Sequence, residues 1–235
     1  MAAILYASVG HGGASAYLAI LALSGSPVLL VKSSALVMNM LVSCIAFLRF
    51  RSKGHFNVKV FLPLAICSVP AAFFSAGLRI EDSTYKSILG LILLIIFIPM
   101  FFSFDKLVAK ERSPSFMVLG ISGLILGLLS GLLGIGGGIL LSPLLILSGW
   151  AGVKETAGIS SLFILVNSLA GLLGASSQAM EAVMQPELML YLICALGGGL
   201  IGSCLGAMRF NAVLLKKTLS IVLFTAGMKL IFGES

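Results

Sequence analysis

Apolar positions in this chain come in long uninterrupted runs, approximately 2–25, 28–48, 57–78, 85–104, 115–149, 156–176, 185–208 and 212–232. Most have the length of about 20 residues that an α-helix needs to cross about 30 Å of hydrocarbon. An outer-membrane barrel would instead show segments of about 10 residues with alternating polarity, and that pattern is absent. The runs predict an all-α polytopic membrane protein. Two of them are not simple spans. The first is interrupted at Gly10-His11-Gly12-Gly13. The fifth is too long for one straight helix and is interrupted at Gly134-Ile135-Gly136-Gly137-Gly138. Each glycine in a helix interior costs about 1 kcal/mol relative to alanine. Both runs are therefore predicted as two shorter helices meeting at a backbone turn, in a re-entrant-like arrangement.

The paired interruptions expose an internal repeat. At one constant offset, Gly10, Gly12 and Gly13 fall on Gly134, Gly136 and Gly137, and Ser24-Gly25 falls on Ser148-Gly149. At a slightly shorter offset Val31-Lys32 falls on Val153-Lys154 and Ala35 on Ala157. At a longer one, Arg79 falls on Arg209 and Lys86 on Lys216. The drift occurs where loops change length. Two repeats follow, residues 1–113 and 114–235, each a glycine-broken first segment plus three spanning helices.

Charge then orients them. Arg49, Arg51, Lys53 and Lys59 place the loop after the second run in the cytoplasm, because basic loops stay inside. Its counterpart, residues 176–187, carries Glu181 and Glu187 and no basic residue, so it faces the other side. Lys106, Lys110 and Arg112 put the central linker inside, as Arg209, Lys216 and Lys217 do for the loop before the last run. These assignments agree if each broken segment enters and leaves on one side while the other three segments cross. The repeats are then inverted. Arg79 and Lys86 fall outside in this scheme, with Glu81 and Asp82 beside them.

Composition narrows the function classes. Hydrophobic residues make up 59% of the chain and charged ones 10%, with a mean hydropathy of +1.16. A soluble domain could not cover that much apolar surface. The multi-pass reading places the chain in the cell inner (plasma) membrane, with the lipid bilayer as its environment. The net charge of +7 belongs to cytoplasmic loops and calls for no nucleic acid. Cys44, Cys67, Cys194 and Cys204 lie within apolar runs without CxxC pairing and read as buried inert thiols. The N-terminal MAAILYASVG has no basic n-region, so the first run is expected to belong to the mature fold.

Chemistry concentrates at the interruptions. In VGHGGAS (Val9–Ser15) and LGIGGGILLSP (Leu133–Pro143), glycines let the backbone turn at membrane depth. Irregular backbone is tolerated there only against protein or water. The helix that follows each cluster begins with unpaired N–H groups and a positive dipole end, a ready anion site. Gly10, His11, Gly12, Gly13 and Ser15, with Gly134, Gly136, Gly137 and Gly138, are therefore candidate substrate-binding residues. The alternative is close helix packing through small residues.

Lys32-Ser33-Ser34 and Lys154-Glu155-Thr156 stand at the start of the next helices, followed by Asn39, Ser43, Ser160, Ser161, Asn167 and Ser168. Ser33, Ser34, Asn39, Thr156, Ser160, Ser161 and Asn167 are candidate donors to oxyanion oxygens. Otherwise they make interhelical hydrogen bonds or N-caps. Lys32 and Lys154 are candidate vestibule residues, or they snorkel to the interface. His11 is the one ionisable residue well inside an apolar run. It is a candidate proton-coupling group, or else a neutral imidazole bonded to a carbonyl in the turn. No intramembrane carboxylate pair, second histidine or metal-ligand spacing is present, so neither catalysis, cofactor nor metal is expected.

At these residues the chain resembles the TauE/SafE family of sulfite and sulfonate exporters. The resemblance rests on SVGHGGASAYLAILAL near the start, GLLSGLLGIGGGILLSPLLILSGWAGVKET in the middle and ISSLFILVNSLAGLLG after it, and it extends over essentially the whole chain. The first motif departs from the usual triple glycine at His11 and Ala14. The resemblance implies export of a small sulfur anion (sulfite, thiosulfate or a sulfonate), driven by the proton gradient. With the inverted repeats it implies alternating access by rocking one half against the other. The rival readings are an anion channel using the same helix dipoles, and a membrane scaffold or sensor that transports nothing.

Overall fold

A computed structural model describes residues 28–78, 80–101, 114–175 and 193–202, with isolated positions 4, 7, 13, 17, 18, 204, 220, 224, 227, 228, 231 and 232. The regular elements among them are helices: α1 (Val28–Ser52), α2 (Val58–Ala76), α3 (Asp82–Phe101), α4 (Phe116–Leu133), α5 (Gly138–Leu147) and α6 (Val153–Gly174), then α7 (Ile193–Gly202). Helices α1 (from Leu30), α2, α4 and α6 are long and apolar enough to span a bilayer. The apolar runs at 28–48, 57–78, 85–104 and 156–176 correspond to α1, α2, α3 and α6, and the long fifth run contains both α4 and α5. Nearly all of the first run, the central linker with Lys106, Lys110 and Arg112, residues 176–187, Arg79, Arg209, Lys216 and Lys217 lie outside the described residues.

Local chemistry sets the helix ends. Helix α1 continues past its apolar run to Ser52, with Arg49 and Arg51 in the last turn, where cations complement the negative end of the helix dipole. Asn57 caps α2, its side chain accepting from the Lys59 N–H at 3.0 Å. Ser115 caps α4 by accepting from the Val118 N–H at 3.4 Å. At its other end α4 stops on Gly134, which is left-handed and donates its N–H to Ser130 O at 2.9 Å.

Helix α2 lies along both α4 and α6, α1 packs on α6, and α5 sits against α6 and α3. The α2–α4 contact is a glycine seam. Gly123, Gly127 and Gly131 recur every four residues on α4, facing the backbone of Leu64, Ser68 and Ala72, which recur every four residues on α2. A Cβ at any of the three glycines would run into a main-chain oxygen of α2. Lipid tails are as apolar as leucine, so helix association in a membrane depends on this kind of close packing.

Polarity is distributed as a membrane demands. Leu62, Ile66 and Phe74 on α2, and Ile121, Ile125 and Leu128 on α4, are exposed. Asn39, Ser43, Ser68, Ser130, Ser160, Ser161, Asn167 and Ser168 are all fully buried. A soluble core would invert that arrangement. Two of the apolar clusters bear on the middle of the molecule. Tyr85, Leu89 and Leu93 of α3 meet Leu133, Ile135 and Ile139, while Leu64, Leu126, Leu141, Leu145, Ile159 and Phe163 close the other side of α5. Both clusters press on the segment between α4 and α5.

Candidate functional site

Between Leu133 and Gly138 the chain turns through Gly134, Gly136 and Gly137 at φ 71°, 73° and 73°. A residue with a Cβ adopts that region at a cost of roughly 1–2 kcal/mol. Gly137 is the N-cap of α5 and provides no side-chain cap. Its carbonyl accepts from the N–H groups of Leu140 at 3.2 Å and Leu141 at 3.1 Å. The first N–H groups of any helix have no intrahelical acceptor. Here they follow a turn packed closely against neighbouring helices.

Helix α1 supplies one wall because Lys32 and Asn39, two turns apart, share a face. Asn39 Nδ2 donates to Ile135 O at 3.3 Å. The Lys32 stem lies against Gly134, where an added Cβ would meet Lys32 Cβ at 3.2 Å. Its ammonium sits 5.8 Å from the centroid of the Tyr85 ring. Tyr85, from α3, is buried and donates its hydroxyl to Leu133 O at 2.8 Å. On α6, residues 160, 163, 164, 167 and 168 recur on one face. A Cβ at Gly136 would stand 2.8 Å from Ser168 Oγ and 3.0 Å from Asn39 Nδ2. One at Gly137 would stand 2.8 Å from Phe163 Cε1 and 3.4 Å from Ser130 Cβ of α4. Gly138 abuts Ile164. The glycines answer two demands at once, positive φ and the absence of any room for a side chain.

Beyond the turn, Ser142 Oγ donates to Gly138 O at 3.1 Å and lies 2.8 Å from Ser160 Oγ. A hydroxyl has a single proton, so Ser160 is the donor in that pair. Asn167 Nδ2 donates to Phe163 O at 2.9 Å and to Ser68 Oγ at 3.0 Å, which uses both of its N–H groups. Among the described residues, the buried atoms Asn39 Oδ1, Ser130 Oγ, Asn167 Oδ1 and Ser168 Oγ have no hydrogen-bond partner. Leaving a buried polar group unpaired costs about 1–3 kcal/mol. Each such group calls for an explanation.

The structure thus brings Lys32, Asn39, Gly134, Gly136, Gly137 and Gly138 together, with Ser160 one hydroxyl away. Other predicted residues are placed differently. Thr156 Oγ1 donates to Ala151 O at 3.4 Å, bracing the loop before α6. Ser161 Oγ donates to Gly158 O at 3.0 Å within its own helix. Asn167 is engaged with α2, Ser33 and Ser34 are buried on α1, and Lys154 is exposed in the first turn of α6. Gly13 has φ 97° and its carbonyl accepts from the Tyr17 N–H at 3.0 Å. Gly10, His11, Gly12 and Ser15 lie outside the described residues.

Sequence reasoning passed over Tyr85, Ser130, Ser142 and Ser68. Ser130 had a usable signal, since it stands one helical turn before Gly134. Tyr85, at the head of an apolar run, had none that separates it from an interface aromatic.

Apolar spans around a buried polar turn define a multi-pass helical membrane protein. The sulfite exporter TauE/SafE family matches residues 1–230, and the chain belongs to that family. It is 33% identical over 234 residues to a probable membrane transporter protein of Sinorhizobium fredii, covering 98% of this chain and 94% of the relative. A second probable membrane transporter protein, from Methanocaldococcus jannaschii, is 31% identical over 136 residues, covering 56% of this chain and 50% of the relative. No solved structure matches. Family and relatives alike are named as transporters, and this chain is a membrane transporter of the TauE/SafE type.

Proposed function

We propose that the protein exports a small anion, sulfite or another sulfur oxyanion or an organosulfonate, by proton-coupled alternating access. The carrying observation is the N-terminus of α5, which has no side-chain cap at Gly137 and follows a glycine turn with the Lys32 stem against Gly134 and Ser168 Oγ and Asn39 Nδ2 beside Gly136. Unpaired N–H groups and the positive dipole end attract an anion without a full charge of their own, and Lys32 adds one. Ser130 and Ser168, both unpartnered, can each donate one hydrogen bond to an oxyanion oxygen. The sulfur anion and the outward direction rest on the family's name.

The glycine cluster at residues 10–13, in a first repeat inverted relative to the second, would present a second helix N-terminus to the same anion. The positive φ of Gly13 supports a turn there. His11 in that cluster would carry the coupled proton. The α2–α4 seam ties a helix of residues 1–113 to one of residues 114–235. Access would therefore change by movement around the glycine turns rather than by parting the two halves at that seam.

The test is flux into proteoliposomes of sulfite, thiosulfate, sulfonates and carboxylates, with and without a pH gradient. The expected result is sulfur-anion flux that a pH gradient accelerates and that His11→Ala makes insensitive to pH. Flux that follows electrical potential alone would instead indicate a channel. No anion flux under any condition would sink the transport reading.

A further inference from the structure

The end of the molecule where α1 finishes collects positive charge. Arg49 and Arg51 stand in the last turn of α1, Lys53 in the turn that follows and Lys59 in the first turn of α2, and all four are exposed. Helix α6 begins at the same end, because a Cβ at Gly158 would run into the His55 carbonyl. It brings Lys154, also exposed. Among the described residues, Glu155 is the one carboxylate at this end, and no ion pair joins it to these cations. Glu81 heads α3 at the other end. There Tyr85 reaches Leu133, the last residue of α4, and α4 runs parallel to α2 along the glycine seam.

These cations are mounted on closed backbone. Gly54 takes φ 77°, its N–H donates to Arg51 O at 3.0 Å, and the His55 N–H donates to Phe50 O at 3.0 Å. This is the Schellman closure of a helix end. With Ser52 Oγ donating to Arg49 O at 2.8 Å, the last carbonyls of α1 call on no basic side chain. The Arg51 guanidinium lies 5.7 Å from the centroid of the Phe47 ring, which meets Phe56 edge-on at 5.2 Å. Charges held in place before binding lose less freedom when a ligand arrives.

Each of the three helix ends also sets a cation beside an exposed apolar neighbour: Leu48 before Arg49, Val58 before Lys59 and Val153 before Lys154. A soluble anion has no use for the apolar partner, whereas a phospholipid has both a phosphate and an acyl chain. We infer that this end of the molecule binds anionic phospholipid, with phosphates on Arg49, Arg51, Lys53, Lys59 and Lys154 and acyl chains against Leu48, Val58 and Val153. A zwitterionic headgroup brings its own ammonium and leaves the excess positive charge uncompensated. An anionic headgroup compensates it, and the attraction grows with each Lys or Arg near the surface. Loop charge sets sidedness whatever the lipid; a folded cluster of cations adds a preference among headgroups.

Thermal unfolding of the purified chain in a neutral detergent tests this surface. Phosphatidylglycerol, phosphatidylcholine and soluble glycerol phosphate are compared at equal ionic strength. The expected result is a saturable rise in Tm with phosphatidylglycerol, little change with the other two, and a smaller response at high salt. Joint replacement of three exposed side chains, Arg49→Gln, Arg51→Gln and Lys53→Gln, should weaken the apparent affinity for phosphatidylglycerol about tenfold or more. Lys86→Gln, at the opposite end on α3, should leave it unchanged. Equal stabilisation by the two phospholipids would overturn the inference and leave these cations only the task of setting sidedness. An equal response to glycerol phosphate would also overturn it, by making the partner a free anion. So would a triple variant that responds as the unaltered protein does. None of these readouts involves anion flux, so the transport reading stands or falls separately.

Discussion

Two stretches of one apolar run use glycine for opposite purposes. Gly123, Gly127 and Gly131 are ordinary helical residues whose missing side chains let α4 lie on the backbone of α2. Gly134, Gly136 and Gly137, a few residues on, leave the helix altogether at positive φ. In the seam, glycine removes volume so that two helices become one slab. In the turn, it frees the backbone so that helix ends and carbonyls face inward. Glycine content alone cannot separate the two, but spacing can: a period of four maintains a helical ridge, whereas near-adjacent glycines forfeit the helix.

The seam should tolerate least. In Gly131→Ala the new methyl would meet Ala72 O and Ser75 Oγ, and in Gly127→Ala the backbone of Ser68. Each should cost stability at or above the upper end of the roughly 1–3 kcal/mol typical of overpacking. The expected readout is a large fall in the folded, monodisperse fraction on size exclusion, with residual flux in proportion to the protein that folds. A stable Gly127→Ala protein would mean that α2 and α4 are not locked together, and halves that part along this line would become the better account of motion.

At the turn, the expected damage shifts from folding to function. Gly137→Ala incurs roughly 1–2 kcal/mol of left-handed strain and a contact with Phe163, yet it sits beside a ring that can shift. Uptake normalised to folded protein should fall by at least about tenfold, the equivalent of 1.4 kcal/mol of lost binding. Normal uptake with reduced stability would make the turn a packing device like the seam. Tyr85→Phe is milder. It removes the hydroxyl bonded to Leu133 O and should lower stability by about 1–2 kcal/mol while leaving a ring beneath Lys32.

The spans were legible in the sequence because bilayer thickness dictates helix length, and α1, α2 and α6 depart from their apolar runs by only a few residues. The positions of Gly134, Gly136 and Gly137 were legible because clustered glycine has few other uses within an apolar segment. The walls of the site were not. Which hydroxyl meets the turn depends on helix rotation and crossing, so Ser161 bonds within its own helix while its neighbour Ser160 reaches Ser142. Asn167 was expected as a donor, but its donors are spent on Ser68 and Phe163. A residue type announces a capacity, and only packing decides where it is used.

The lysine pair offers the finest test, because sequence treats Lys32 and Lys154 as equivalents and structure does not. Lys32 is half-buried, with its stem on Gly134 and its ammonium over the Tyr85 ring. Lys154 is exposed in the first turn of α6, where water and salt screen its field within about 10 Å. Removing the charge at Lys32, as Lys32→Met, should raise the KM for anion uptake several-fold, about 1 kcal/mol or a little more, and the loss should persist at high salt because the site is poorly hydrated. Lys154→Met should change KM by about twofold or less, the scale of an exposed charge, and that change should fade as salt rises. Equal, salt-sensitive losses at both would return the lysines to the symmetric vestibule that the repeat suggests. A loss confined to Lys32 would show that two lysines in matching sequence surroundings are put to unequal use, with the charge that matters carried on the stem packed against Gly134.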